Sequence, residues 1–129
     1  MSHSSAQKAV LLEERLVAFA VRIVGLSNRL PKSYAGQHFG RQILRSGSAP
    51  ALLYGEARGA ESLKDFRHKV SIVVKELRET HINLRIITQS QLTDIDELQL
   101  TIDENNELIS IFVATIKTLD YKIRNGLKR

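Results

Sequence analysis

The 129-residue chain has no cysteine and no tryptophan, only two prolines, and aromatic rings at 5% of its positions. Without cysteine, disulfides, thiolate nucleophiles and cysteine-ligated zinc or iron–sulfur sites are excluded by inventory, and a reducing cytoplasm fits. Four Phe and three Tyr offer few ring faces on which unpaired bases could stack, which disfavours sequence-specific reading of single strands. No stretch approaches the roughly 18 uncharged apolar residues of a membrane span. The opening Met1-Ser2-His3-Ser4-Ser5-Ala6-Gln7-Lys8 lacks the basic start and apolar core of a signal peptide. The expectation is a cytoplasmic protein with no membrane partner.

What is present points to one domain over residues 1–129, with frayed ends at about 1–5 and 125–129. An apolar content of 43% supplies one hydrophobic core at this length and would starve a second. The net charge of +5 is unevenly spread: residues 93–116 hold six acidic side chains and no basic one, while residues 117–129 hold five basic and one acidic. A bipolar surface of this kind attracts polyanions with one region or pairs its own faces between subunits.

The apolar residues repeat with helical periods throughout, and no segment alternates as a strand does. Leu12, Leu16, Phe19, Ile23, Leu26 and Leu30 follow a 4, 3 rhythm that predicts a first helix over about 6–29, ended by Pro31. Val10, Val17, Val21 and Val24 are expected to widen its apolar face beyond a single seam. A second helix over about 34–60, capped by Ser33, is unlikely by propensity, because it carries five of the seven glycines together with Pro50. It requires packing to hold it, and the run Ser46, Gly47, Ser48, Ala49 and Ala51 is small enough to let a neighbouring helix come close. Ser62 and Asp65 resemble a capping box opening a third helix over about 63–88, with a seam from Phe66 to Ile87 and a second buried stripe of Ile72, Val74, Ile82 and Ile86. Thr93 is read as the cap of a fourth helix over about 94–123, whose seam is interrupted once, by Asn105. Four long helices with short links give an all-α, up-and-down antiparallel four-helix bundle.

Several stretches carry a family resemblance: Gly40-Arg41-Gln42-Ile43-Leu44-Arg45-Ser46-Gly47-Ser48, Tyr54 with Glu56-Ala57, Lys64-Asp65-Phe66-Arg67-His68-Lys69-Val70, Lys75-Glu76-Leu77-Arg78-Glu79-Thr80 and Ile116-Lys117-Thr118. Together they resemble the four-helix bundle proteins encoded in intervening sequences of bacterial 23S rRNA genes, over Phe19 to Thr118. The resemblance implies a ring-shaped homopentamer without known catalysis. It also implies a fold shared with accessory proteins of diversity-generating retroelements, which bind nucleic acid through a basic surface. The sequence departs from the family pattern at Pro50, Ala51 and Leu53.

The charged residues then divide into a structural set and a functional set. A hairpin of the second and third helices turning near residues 60–62 sets Arg45 opposite Glu76 and its neighbours, which predicts an ion pair with Glu76 or Glu79. Arg41, Arg58, Lys64, Arg67 and Lys69 are the candidate nucleic-acid contacts, an exposed basic rim for RNA or DNA phosphates. Against that stands a solvated surface in which Glu56, Glu61 and Asp65 are interspersed. Asp65 and His68 have the i, i+3 spacing of di-iron bundles, but Glu79 and His81 do not supply the second such pair. No Arg precedes a His by four to six positions, and no glycine-rich phosphate loop follows a strand. The expectation is no enzyme, no cofactor and no metal, with a second copy of the chain, a nucleic acid or another protein as partner.

Overall fold

The computed structural model describes residues 4–127; the outermost parts of the expected frayed ends lie outside them. Four helices follow one another: α1 (Ser5–Arg29), α2 (Tyr34–Ala57), α3 (Leu63–Gln89) and α4 (Glu97–Arg124). There is no strand among the described residues. Each helix packs antiparallel on the next, and α1 meets α4 in the thinnest contact of the four neighbouring pairs. None of these helices is long and apolar enough to cross a membrane.

Short polar residues start three of the helices by accepting from backbone N–H groups that have no partner within the first turn. Ser4 forms a full capping box with Gln7, Ser33 accepts from Gly36 N at 3.1 Å, and Ser62 accepts from Asp65 N at 3.0 Å. Helix α4 differs from the sequence expectation. It begins at Glu97 after Asp96, with no side-chain cap, rather than at residue 94 behind Thr93. The cause lies in the end of α3, where Gln91 adopts φ 56°. There Gln91 N donates to Thr88 O and Leu92 N to Ile87 O, the paired bonds of a Schellman turn. The turn tucks Leu92 against the core and spends residues 92–96 in reaching the fourth helix.

The core is made where the seams predict it. Leu16, Phe19 and Ile23 of α1, Ile43 of α2, Val70, Val73, Leu77, Leu84 and Ile87 of α3, and Leu108 and Phe112 of α4 are all buried. Tyr54 meets Phe112 edge to face at 5.5 Å, a preferred aromatic geometry. Glycine lets α2 sit close to α1: a Cβ on Gly47 would stand 2.8 Å from Cγ1 of Ile23. On the other side of α2 the hydroxyls of Ser46 and Thr80 bond at 2.8 Å, both fully buried. Asn105 is buried on the α4 seam, where its Nδ2 donates to the Leu77 carbonyl at 2.9 Å. That bond fixes α4 against α3 at one height, since a slip along the seam would strand the amide in an apolar layer.

The apolar residues beyond the seams are largely exposed. Val10, Val17, Val21 and Val24 extend the apolar surface of α1 outside its buried seam, Val21 at 66% exposure. On α3, Val74 is buried, whereas Ile82 and Ile86 are exposed.

Candidate functional site

The antiparallel order gathers the start of α1, the end of α2, the start of α3 and the end of α4 at one pole of the bundle. Four of the five expected nucleic-acid contacts, Arg58, Lys64, Arg67 and Lys69, lie there. Arg41 does not. It sits in the second turn of α2, near the opposite pole and some 25 Å from Arg58 along the helix axis, at about 1.5 Å per residue. A single rim of all five is therefore not formed.

Two of the four are also not free cations. Arg58 pairs with Glu13 of α1 at 3.2 Å. Arg67 holds Asp120 of α4 in a two-pronged contact of 2.9 and 3.3 Å. That hydrogen bond, opposed by some desolvation, raises the guanidinium pKa further and holds the Asp120 carboxyl below its ordinary value. Both arginines act as ties between helices, so their charge is largely answered within the chain.

The cations that remain at this pole come from both ends of the α3–α4 hairpin. Lys64 and Lys69 lie in the first two turns of α3, and Lys117, Lys122 and Arg124 in the last two turns of α4. None of these five has a carboxylate within salt-bridge distance among the described residues. By sequence the α4 set reads as complement to the helix dipole. The antiparallel pairing brings it beside α3, a juxtaposition that only the hairpin arithmetic could have supplied.

Arg45 of α2 bonds to Glu76 at 3.3 Å and also to Glu79, both on α3. Glu76 is itself buried, and this pair is its route to charge compensation.

An ionic seam that the sequence reading overlooked joins α1 to α4. Arg15 grips Glu104 through Nε and Nη2, each at 2.7 Å, and reaches Glu107 at 2.9 Å. Four turns further along α1, Arg29 meets Glu97 at 2.9 Å, and Arg22 lies midway, its charge acting on both Glu97 and Glu104. The hydrogen bond from Arg15 holds the Glu104 carboxyl below its usual range against the opposing effect of burial. Arg29 does the same for Glu97. Most of the acidic half of α4 is thus committed to α1.

Among the described residues, no three His, Asp or Glu side chains are grouped to hold a metal ion. Asp65 and His68 share the first turns of α3 without a further ligand beside them.

Comparison with known proteins bears on the whole bundle. The family described as 23S rRNA-intervening sequence protein matches residues 12–114. A crystal structure of a protein of unknown function from the S23 ribosomal protein family of Bacteroides thetaiotaomicron superposes with a TM-score of 0.78 at 28% identity, covering 85% of this chain and 98% of that one. No curated protein matches.

Proposed function

The chain belongs to the 23S rRNA-intervening sequence protein family, and from that premise we propose a non-catalytic, homo-oligomeric bundle, pentameric as the resemblance implies, that holds RNA or DNA by its phosphate backbone. The observation that carries the nucleic-acid reading is the cluster of Lys64, Lys69, Lys117, Lys122 and Arg124, which has no carboxylate partner among the described residues. This cluster stands in for the rim expected from sequence, Arg58 and Arg67 being taken up as ties to α1 and α4. Unanswered cations at one pole release condensed counterions when they meet phosphate, an attraction indifferent to base sequence. The shortage of aromatic rings agrees with backbone contact rather than stacking. Repetition of the pole around a ring would add avidity without adding any contact per copy.

The test is retention of a duplex RNA and a duplex DNA as salt is raised from about 50 to 200 mM, a range over which several phosphate contacts cost orders of magnitude in affinity. Substituting Lys64→Glu, Lys69→Glu and Lys117→Glu together should abolish retention while leaving the oligomer's mass unchanged. No retention at low salt, or retention indifferent to salt, removes the nucleic-acid reading.

A protein adaptor or scaffold with no nucleic-acid role is the second reading. It is favoured by Val10, Val17, Val21 and Val24, which stand exposed along one face of α1, since a contiguous apolar stripe on a surface marks a contact more than scattered single residues do.

A further inference from the structure

The open groove between α3 and α4 carries two arginines that no carboxylate of the described residues answers. The groove holds about 510 Å³ and is lined by Arg78, His81 and Ile82 of α3 and by Asn106, Ile109 and Ser110 of α4. Ile82 is 49% exposed, and Ile86, one turn further along α3, is 40% exposed. Arg78 and Arg85 bracket Ile82 along the helix, two turns and about 10 Å apart. Both arginines are exposed, and neither has a carboxylate within salt-bridge distance among the described residues. The nearby carboxylates are engaged elsewhere. Arg45 holds Glu76 and Glu79 of α3, Arg15 holds Glu104 and Glu107 of α4, and Asp103 accepts from Gln99 at 2.9 Å.

We infer that this groove is a docking site for an acidic amphipathic helix of another protein. The partner's apolar stripe covers Ile82, Ile86 and Ile109, and its carboxylates, two turns apart, meet Arg78 and Arg85. This rests on the adaptor reading and names the chemistry of the partner. An open trough between two antiparallel helices accepts a third helix along its length, anchored by apolar residues at helical spacing. Charge complementarity sets the sign of that helix, because two unpaired guanidinium groups repel a basic one and reward an acidic one. A phosphate backbone would answer the arginines but leave the isoleucines uncovered, which favours a protein over a nucleic acid. The chain's own faces match poorly. Glu14 is the one carboxylate available beside the α1 valines, since Arg58 holds Glu13, and the acidic half of α4 shows a single large exposed apolar residue, Leu100.

The experiment is fluorescence anisotropy of the full chain with a designed helical peptide, labelled with fluorescein, whose leucine face is flanked by two glutamates seven residues apart. The wild type should bind it, less tightly as salt is raised. Arg78→Glu with Arg85→Glu, and separately Ile82→Lys, should each weaken binding by about tenfold or more. All three positions are exposed, and unchanged helical circular dichroism checks the fold. A second peptide with lysines in place of the glutamates should prefer the doubly substituted chain to the wild type. The native mass of the variants and their retention of duplex RNA should match those of the wild type. A wild type that does not bind the acidic peptide overturns the inference, as does binding indifferent to Ile82→Lys, which would be attraction by charge alone. A fall in native mass assigns the groove to a second copy, and a loss of RNA retention assigns it to phosphate; either result overturns it. Binding lost on Val17→Lys with Val21→Lys but kept in the groove variants overturns it while leaving the adaptor reading in place. The adaptor reading falls separately, to salt-dependent nucleic-acid retention that the lysine substitutions at the pole abolish.

Discussion

Helix α1 is held by two flanks that work on different principles. Toward α2 the contact is chiefly steric: Gly47 leaves no room for a Cβ beside Ile23, Ser27 bonds the Gly40 carbonyl at 2.9 Å, and a single ion pair, Arg58 with Glu13, stands at the far end. Toward α4 the contact is ionic, a row of Arg15, Arg22 and Arg29 set against Glu97, Glu104 and Glu107. Steric fit is short-ranged and indifferent to pH and salt, whereas a row of partly exposed ion pairs depends on both. Three sides of the bundle therefore close mainly by packing, with ion pairs besides, and the fourth mainly by charge. The α1–α4 seam is the side from which it should open first.

The strongest way to break the comparison is to attack the steric flank. Gly47→Leu forces a side chain into the space of Ile23, whose atoms would already be 2.8 to 3.1 Å from a Cβ alone. Overpacking of this kind costs about 1–3 kcal/mol, and more where the backbone must shift. Urea unfolding should show the midpoint falling by the corresponding amount, equally at low and high salt. A neutral outcome would mean that α1 and α2 can separate at little cost, and the contrast between the flanks would disappear.

Arg15→Ala attacks the ionic flank at its best pair, where the guanidinium grips Glu104 with two bonds and touches Glu107. Arg15 and Glu107 are more than a third exposed, so solvent screening limits the loss to about 1 kcal/mol or less. The loss should shrink as salt is raised, and a double-mutant cycle with Glu104→Ala should recover most of it as coupling. If the loss were as large as that of Gly47→Leu and insensitive to salt, the seam would be held by packing after all.

Acid should distinguish the flanks without any substitution. The Glu104 carboxyl is held below its ordinary value in the folded chain, chiefly by the Arg15 hydrogen bond. A depressed carboxylate contributes its full stability above the unfolded value of about 4.3 and loses it as pH falls through the folded value. Lowering the pH below about 4.3 should thus progressively reduce the penalty of Arg15→Ala, because the wild type loses the same interaction as the pH falls through the lowered folded value. The penalty of Gly47→Leu should stay constant across that range. Unfolding curves of the three proteins at several pH values decide it.

How much of this was legible in the sequence depends on the distance over which a signal had to act. The inner seams were legible, since Leu16, Phe19 and Ile23, or Val70, Val73 and Leu77, sit at spacings that only one helical face satisfies. The exposure of the α1 valines follows from the same arithmetic. Val17, Val21 and Val24 follow Leu12, Leu16 and Phe19 by five residues each, an advance of about 140° around the helix. That places them opposite the core, not beside it. The ionic seam was also present as Arg15, Arg22 and Arg29 at intervals of seven and Glu97 and Glu104 at the same interval, but its two halves are separated by most of the chain. Pairing across a hairpin can be counted from the turn, as with Arg45 and Glu76. Pairing between first and last helices cannot, whereas the partners Glu13 and Asp120 that answer Arg58 and Arg67 lie across the α1–α2 and α3–α4 hairpins and were open to the same count. The start of α4 depended on Gln91 taking a left-handed conformation, for which an ordinary glutamine gives no advance sign.

The smallest expected effect tests whether the ionic flank is uniform along its length. Arg29 and Glu97 are each about half exposed, so Arg29→Gln should cost less global stability than Arg15→Ala and leave the urea midpoint close to that of the wild type. Its effect should be local. Glu97 is the first residue of α4, and Asp96 before it supplies no side-chain cap, so the tie from Arg29 adds to the packing of Leu98 in holding that end of the helix to its neighbour. Amide exchange at Leu98 through Ile102 should quicken in the variant while exchange around Leu108 and Phe112 stays slow, since the end frays and the buried middle does not. Uniform quickening along α4 would mean that the seam opens as one unit, and Arg15 and Arg29 would then have to be treated as a single coupled row.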